Sequence, residues 1–177
     1  MNSRVILVNE QNEILGEEEK LLAHHQGLLH RAFSVMLYRK HQGKLEFLLQ
    51  QRHVSKYHSG GLWTNTCCSH PQPGEDTGVA AKRRLFEETG VNLNVQEISV
   101  FRYIAHFANG LIEYEIDHVF VGEFEGMPQH FDPEEIEVMK WIDLEALKRA
   151  LDQTPYLYTP WFGRVLSEFE AWWFPRA

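Results

Sequence analysis

A chain of 177 residues suits one domain with a core of its own, so a single domain over residues 1–177 is expected. Hydrophobic residues at 44% and charged residues at 24% exclude disorder as a description of the whole. The net charge of −8 argues against nucleic acid and against an anionic membrane as partners, yet a local basic pocket can still take a small anion.

The first ten residues hold no long apolar stretch and no small-residue cleavage site. No apolar run approaches the roughly 18 residues of a membrane span. A cytoplasmic location is therefore expected. A short strand is predicted over 5–8. Residues 17–24 have helical composition, which His25-Gln26-Gly27 interrupts. Apolar runs over 32–38 and 45–51 flank His41-Gln42-Gly43-Lys44, a hairpin signal. Two loops follow, His58-Ser59-Gly60-Gly61 and Pro71-Gln72-Pro73-Gly74. Between them lie the only cysteines, Cys67 and Cys68. Adjacent cysteines make a poor staple, which fits a reducing compartment. A helix is predicted over 77–89, stopped by Gly90. Strands over 98–107 and 112–121 pair across Asn109-Gly110. A further strand over 138–142 leads into a helix capped by Asp143. Thr159 and Pro160 read as N-cap and first residue of a final helix through Ala171. The order predicts an α+β fold with a mixed or antiparallel sheet.

Alternation along the strand that includes 112–118 puts Glu113, Glu115 and Asp117 on one side, and Ile112, Tyr114 and Ile116 on the other. For the strand taken alone, a solvated face is the simpler reading. The sharper one needs a cation, because paired carboxylates repel unless a metal or proton separates them. His24, His30 and His70 are candidate partners, and three imidazoles with two carboxylates suit a divalent transition metal. Taken singly, each is an ordinary histidine.

The helix over 77–89 ties these segments together. The Nudix box runs Gly, five residues, Glu, seven residues, then Arg-Glu-aliphatic-x-Glu-Glu-x-Gly-aliphatic. Glu75, Arg83, Leu85, Glu87, Glu88, Gly90 and Val91 match it in register. Ser69 replaces the first glycine and Arg84 the first Glu of the triplet. Plain i,i+4 pairing of Arg83 with Glu87 and Arg84 with Glu88 explains the helix less completely. Exchanging a carboxylate for Arg84 weakens a cation site and adds a phosphate binder, favouring grip of a diphosphate over its hydrolysis.

With Leu28-Leu29-His30-Arg31-Ala32-Phe33-Ser34, Gly61-Leu62-Trp63-Thr64-Asn65-Thr66-Cys67-Cys68-Ser69-His70-Pro71, and Phe101-Arg102-Tyr103 beside Glu113-x-Glu115, the chain resembles the type I isopentenyl-diphosphate isomerases, a branch of the Nudix superfamily. The resemblance covers essentially the whole chain. It implies a Nudix-like mixed sheet flanked by helices, and interconversion of isopentenyl and dimethylallyl diphosphate in isoprenoid biosynthesis. It implies metal ligands at His24, His30, His70, Glu113 and Glu115. His25 is the neighbouring alternative to His24, which Lys20 selects by register. It implies catalytic roles for Cys68 and Glu115, with help from Tyr103. It also implies Mg²⁺ on the diphosphate near Glu88, and a second ion, Mn²⁺ or Zn²⁺, in the His/Glu site. Contacts to substrate fall on Lys20, Arg52, Lys56, Ser69, Arg84 and Trp161. The expected partner is a small isoprenoid diphosphate, and the protein is expected as a monomer or weak homodimer. The runner-up is a Nudix hydrolase of a nucleoside diphosphate derivative. A third reading is a metal-binding module without turnover.

Without the family, Tyr103 and Trp161 read as core aromatics, and Arg52 and Lys56 as surface charges. Local alternation over 66–70 puts Cys68 and His70 on one side and Cys67 on the other.

Overall fold

The computed structural model describes residues 3–175, so the first and last two residues of the expected domain lie outside it. Strand β1 (Arg4–Val8) pairs antiparallel with β2 (Ile14–Glu19), and helix α1 (Lys20–Gln26) follows directly. The helix predicted over 17–24 is thus shifted. Glu17 and Glu18 belong to the strand, Glu19 caps the helix by accepting from the N–H groups of Leu21 and Leu22, and His25 is helical. Gly27 stops the helix at φ 65°.

The long strand β3 (His30–His41) organises the sheet. Along one edge it runs parallel to β8 (Ile112–Glu123), from His30 opposite Glu115 to Tyr38 opposite Glu123. Its other edge is shared in succession by β1 at His30, by β6 (Cys67–Ser69) and by β4 (Lys44–Arg52). Strand β5 (Trp63–Thr64) and strand β9 (Ile136–Asp143) pair with β4, and β7 (Gln96–His106) pairs with β8. The sheet is mixed and nine-stranded among the described residues.

Helices cover both faces. On one, α2 (Thr77–Thr89) packs Ala80, Ala81 and Leu85 on Phe33, Val35, Leu37, Leu48, Phe120 and Cys67. On the other, α4 (Phe162–Trp173) packs Phe162, Val165, Leu166 and Phe169 on Met36, Phe47, Leu49, Val119 and Val121. Helix α3 (Leu144–Gln153), capped by Asp143 as predicted, adds Leu147 to this second layer. The final helix starts later than predicted. Thr159 gives its hydroxyl to Thr64 Oγ1 at 2.9 Å and its N–H to the Trp63 carbonyl, so it does not cap, and Trp161 takes the N-cap position. No helix among the described residues is long and apolar enough to cross a membrane.

The odd-numbered positions of β8 share one face, and their character changes along the strand. Val119 and Val121 lie in the layer beneath α4, whereas Glu113, Glu115 and Asp117 continue the same face beyond it. Contrary to the solvated face expected of the strand alone, these three carboxylates are buried, at 4, 6 and 2% exposure. Burial and the neighbouring Glu115 charge push the Asp117 carboxyl well up, and Ser34 donates to it, whereas Glu113 and Glu115 call for compensation by positive charge.

Candidate active site

Compensation comes from histidines delivered by three separate elements. His30 opens β3 opposite Glu115 in the parallel ladder, so its Nε2 meets Glu115 Oε2 at 3.1 Å. His70, just past β6, reaches the same oxygen at 2.8 Å. His24 hangs from α1, 3.9 Å from Glu113 Oε2. Backbone carbonyls hold two of these rings: Nδ1 of His24 donates to Lys20 at 2.8 Å, and Nδ1 of His30 to Leu28 at 2.8 Å. Each therefore turns its Nε2 to the cluster, where that nitrogen could serve a metal on giving up its proton. His24, His30, His70 and Glu115 place one ligand atom each within 4.8 Å of one another. His24 Nε2 and Glu113 Oε1 are buried without a hydrogen-bond partner, as expected where a cation belongs. The donor set, neutral imidazoles with carboxylates, fits a divalent transition metal.

The electrostatics agree. Burial pushes the Glu115 carboxyl up, but hydrogen bonds from His30 and His70 bring it well below the usual carboxylate range. Glu113 is likewise lowered against its burial, by His24 and His58. Burial brings His70 down to about 4, so this ring is neutral near pH 7.

His70, Glu113 and Glu115 line a recess of about 30 Å³ together with Ser34, Arg52, Cys68, Asp117 and Trp161. Cys68 is held from two sides. Its thiol donates to Asn65 Oδ1 at 3.2 Å, and the indole N–H of Trp161 donates to its sulfur at 3.2 Å. The Asn65 amide cannot flip without loss, because its NH₂ donates to the carbonyls of Val35 and Cys67. Burial raises the Cys68 thiol to about 12, so it is protonated at neutral pH. Cys67 points the other way, into the layer beneath α2, as alternation predicts. Tyr103 stands opposite Glu115 across the β7–β8 ladder, with its hydroxyl buried and unpartnered among the described residues. Arg52 lies over the Trp161 ring at 5.4 Å, in the recess and not at the surface.

An open groove of about 610 Å³ adjoins the recess, and Ser69 and His70 belong to both. Lys20, Arg83, Arg84 and Glu135 line it. Arg83 pairs with Glu75 at 2.7 Å and Glu87 at 2.9 Å, and Arg84 with Glu87 at 2.9 Å and Glu88 at 2.8 Å. Lys56 pairs with Glu135 at 2.5 Å. Glu88 is buried on α2, bonded by Arg84 and Gln50, and belongs to neither His/Glu cluster. A second hollow behind α2, lined by Val79 and Phe86, gathers no histidine or cysteine.

A protein-family profile for the NUDIX domain matches residues 28–162. A chain from Serratia proteamaculans named isopentenyl-diphosphate Delta-isomerase is 45% identical over 97% of this chain and 93% of its own length. One of the same name from Photobacterium profundum is 46% identical over 94% of each. The chain belongs to the isopentenyl-diphosphate Delta-isomerase family of Nudix proteins. The fold agrees: the structure of DR0079 from Deinococcus radiodurans superposes with a TM-score of 0.74 at 20% identity, covering 94% of this chain and 99% of that one. Against the Nudix box, Ser69 and Arg84 remain the two departures, and both line the groove.

Two polar side chains packed into this cluster carry no mark in the sequence. Asn65 orients the thiol, and His58 stands 2.7 Å from Glu113 Oε2. Nothing in local periodicity marks His58. It sits in a loop shaped by Ser59 at φ 55°, by Gly61 at φ 79°, and by Gly60, where a Cβ would strike the Val54 carbonyl.

Proposed function

We propose that the chain interconverts isopentenyl and dimethylallyl diphosphate by moving a double bond through proton addition and removal. The observation that carries this is the placing of a buried, protonated thiol and a carboxylate held by histidines in one recess beneath an indole. The named relatives support the substrate class.

His24, His30, His70, Glu113 and Glu115 would hold a divalent ion, which supplies a fixed positive charge balancing the two carboxylates. Cys68 holds a proton at Sγ, and Asn65 and Trp161 fix where that sulfur points. Glu115 carries a proton to or from the substrate carbon, assisted by the hydroxyl of Tyr103, its neighbour across the ladder, which has no partner among the described residues. The reaction is reversible, so the two groups exchange acid and base roles with direction. Trp161 offers a ring to the developing cation, as it already does to Arg52. The groove takes the diphosphate through Lys20, Ser69 and Arg84, with Lys56 beside it on Glu135, and Glu87 and Glu135 must yield Arg84 and Lys56. Glu88 would hold a Mg²⁺ ion that screens the diphosphate charge.

Arg84 in place of a carboxylate argues against the hydrolase reading. The test is incubation with isopentenyl diphosphate and divalent metal. An acid-labile allylic product is expected. Phosphate release from a nucleotide panel without that product would favour the hydrolase.

A further inference from the structure

The proposed mechanism leaves one carboxyl of the recess unused. Asp117 lines the recess with Cys68 and Trp161, and it does not line the groove that holds Lys20 and Arg84. It shares a face of β8 with Glu113 and Glu115, yet it belongs to neither group of side chains that could gather round an ion. Strand register sets its place. Asp117 is the last polar residue on this face before Val119 enters the apolar layer beneath α4, and Trp161 belongs to that layer. The carboxyl thus stands where the charged part of the site meets the apolar part.

Its two oxygens are held differently. Oδ2 accepts the Ser34 hydroxyl at 2.8 Å, and that hydroxyl oxygen stands 3.8 Å from Cys68 Sγ. Ser34 faces Cys68 directly across the β3–β6 ladder, so the strand pairing pins this arm in place. Oδ1 is buried with no hydrogen-bond partner among the described residues. A buried oxygen left bare weakens a fold, so its presence calls for a reason. The reaction supplies one. Adding a proton to an alkene takes the π electron pair to one carbon and leaves its tertiary neighbour positive until the second proton departs. That charge develops within reach of Cys68 and Glu115, and therefore inside the recess that Asp117 lines. An ionised carboxylate attracts it with a full charge, and a neutral carboxyl with the dipole of its oxygen, so the attraction holds in either form.

We infer that Asp117 is a further catalytic residue, whose bare oxygen meets the tertiary carbon while that carbon is positive, with Ser34 holding the other oxygen. This rests on the isomerase reading of the recess. It accounts for a buried oxygen kept without a partner in the protein: the partner is the substrate, and only in mid-reaction. The positive charge is then met by a carboxyl as well as by the indole ring of Trp161.

The experiment uses the full chain with divalent metal and two unreactive diphosphates of the five-carbon skeleton. One is saturated and neutral at the branch carbon. The other carries a tertiary ammonium in place of that carbon and so copies its charge. Asp117→Asn keeps the shape of the side chain and still accepts from Ser34, but turns an NH₂ group to the recess. Thermal unfolding checks that the variant is folded. A kcat lowered by roughly 10² with KM near wild type is expected, as for loss of one preorganised electrostatic group. The wild-type preference for the ammonium over the saturated diphosphate should fall about tenfold or more. A wild type without that preference, or a variant that keeps it, overturns the inference even where kcat falls, because a merely structural loss weakens both diphosphates alike. If Asp117→Asn fails to fold, a crystal structure of the wild type with the ammonium diphosphate decides. Nitrogen within about 4–6 Å of Asp117 Oδ1 is expected, and nitrogen elsewhere overturns the inference. A wild type that does not isomerise isopentenyl diphosphate overturns the reading of the recess and the inference with it.

Discussion

At the scale of single residues, the adjacent cysteines make the sharpest contrast. Cys67 is fully buried among Phe33, Ala80 and Leu85, so Cys67→Ala is expected to cost about 1 kcal/mol of stability and leave turnover near wild type. If Cys68 carries a proton as proposed, Cys68→Ala is expected to abolish turnover while the metal content, measured by emission spectrometry, stays unchanged. The held thiol also predicts its own chemistry. Raising pH from 7 to 9 converts a free thiol largely to thiolate, but a group titrating at about 12 stays protonated across that window. Iodoacetamide should therefore label Cys68 of the folded protein at pH 9 on the order of 10² times more slowly than in urea, read by peptide mass spectrometry. On the proposed mechanism Glu115→Gln removes a charged ligand and a proton carrier together. Turnover should fall by roughly 10² to 10⁴, and a variant near wild-type rate would remove Glu115 from the chemistry.

At the scale of elements, helix α2 shows how local signals fix a boundary. Asp76 accepts from the Val79 N–H at its start, and Gly90 closes it at φ 77° with a Cβ position 2.9 Å from the His130 carbonyl. Gly90→Ala should cost on the order of 1–3 kcal/mol in urea denaturation, and a neutral result would contradict this cap. This helix, the hairpin of β3 and β4, and the β7–β8 pair were all legible, because capping residues, turn glycines and alternation act over a few residues. The start of α1 and of α4 were not. Glu17 and Glu18 favour helix by composition but are taken by pairing with β1, and Thr159 spends its hydroxyl on Thr64, 95 residues away. The site divides in the same way. Alternation alone set Cys68 apart from Cys67, and the family motifs named His24, His30, His70, Glu113 and Glu115. His58 and Asn65 act through geometry that no spacing reveals: a loop bent by three unusual residues, and an amide pinned by two distant carbonyls.

At the scale of the whole molecule, an ion held by the His/Glu cluster would join distant parts of the chain, and binding to the folded form alone would stabilise it. Divalent metal at 100 times Kd should add about 2.7 kcal/mol, seen as a raised thermal midpoint that a chelator reverses. The parallel ladder of β3 and β8 decides when in folding this can happen. His30 and Glu115 are 85 residues apart, and parallel pairing over such a span forms late because the intervening loop must close first. The imidazoles of His24, His30 and His70 are all synthesised well before either carboxylate, so a growing chain carries half a site for much of its synthesis. The ion thus cannot guide the search for the fold; it fastens a search already completed. Refolding should proceed at the same rate with or without metal, and unfolding alone should slow.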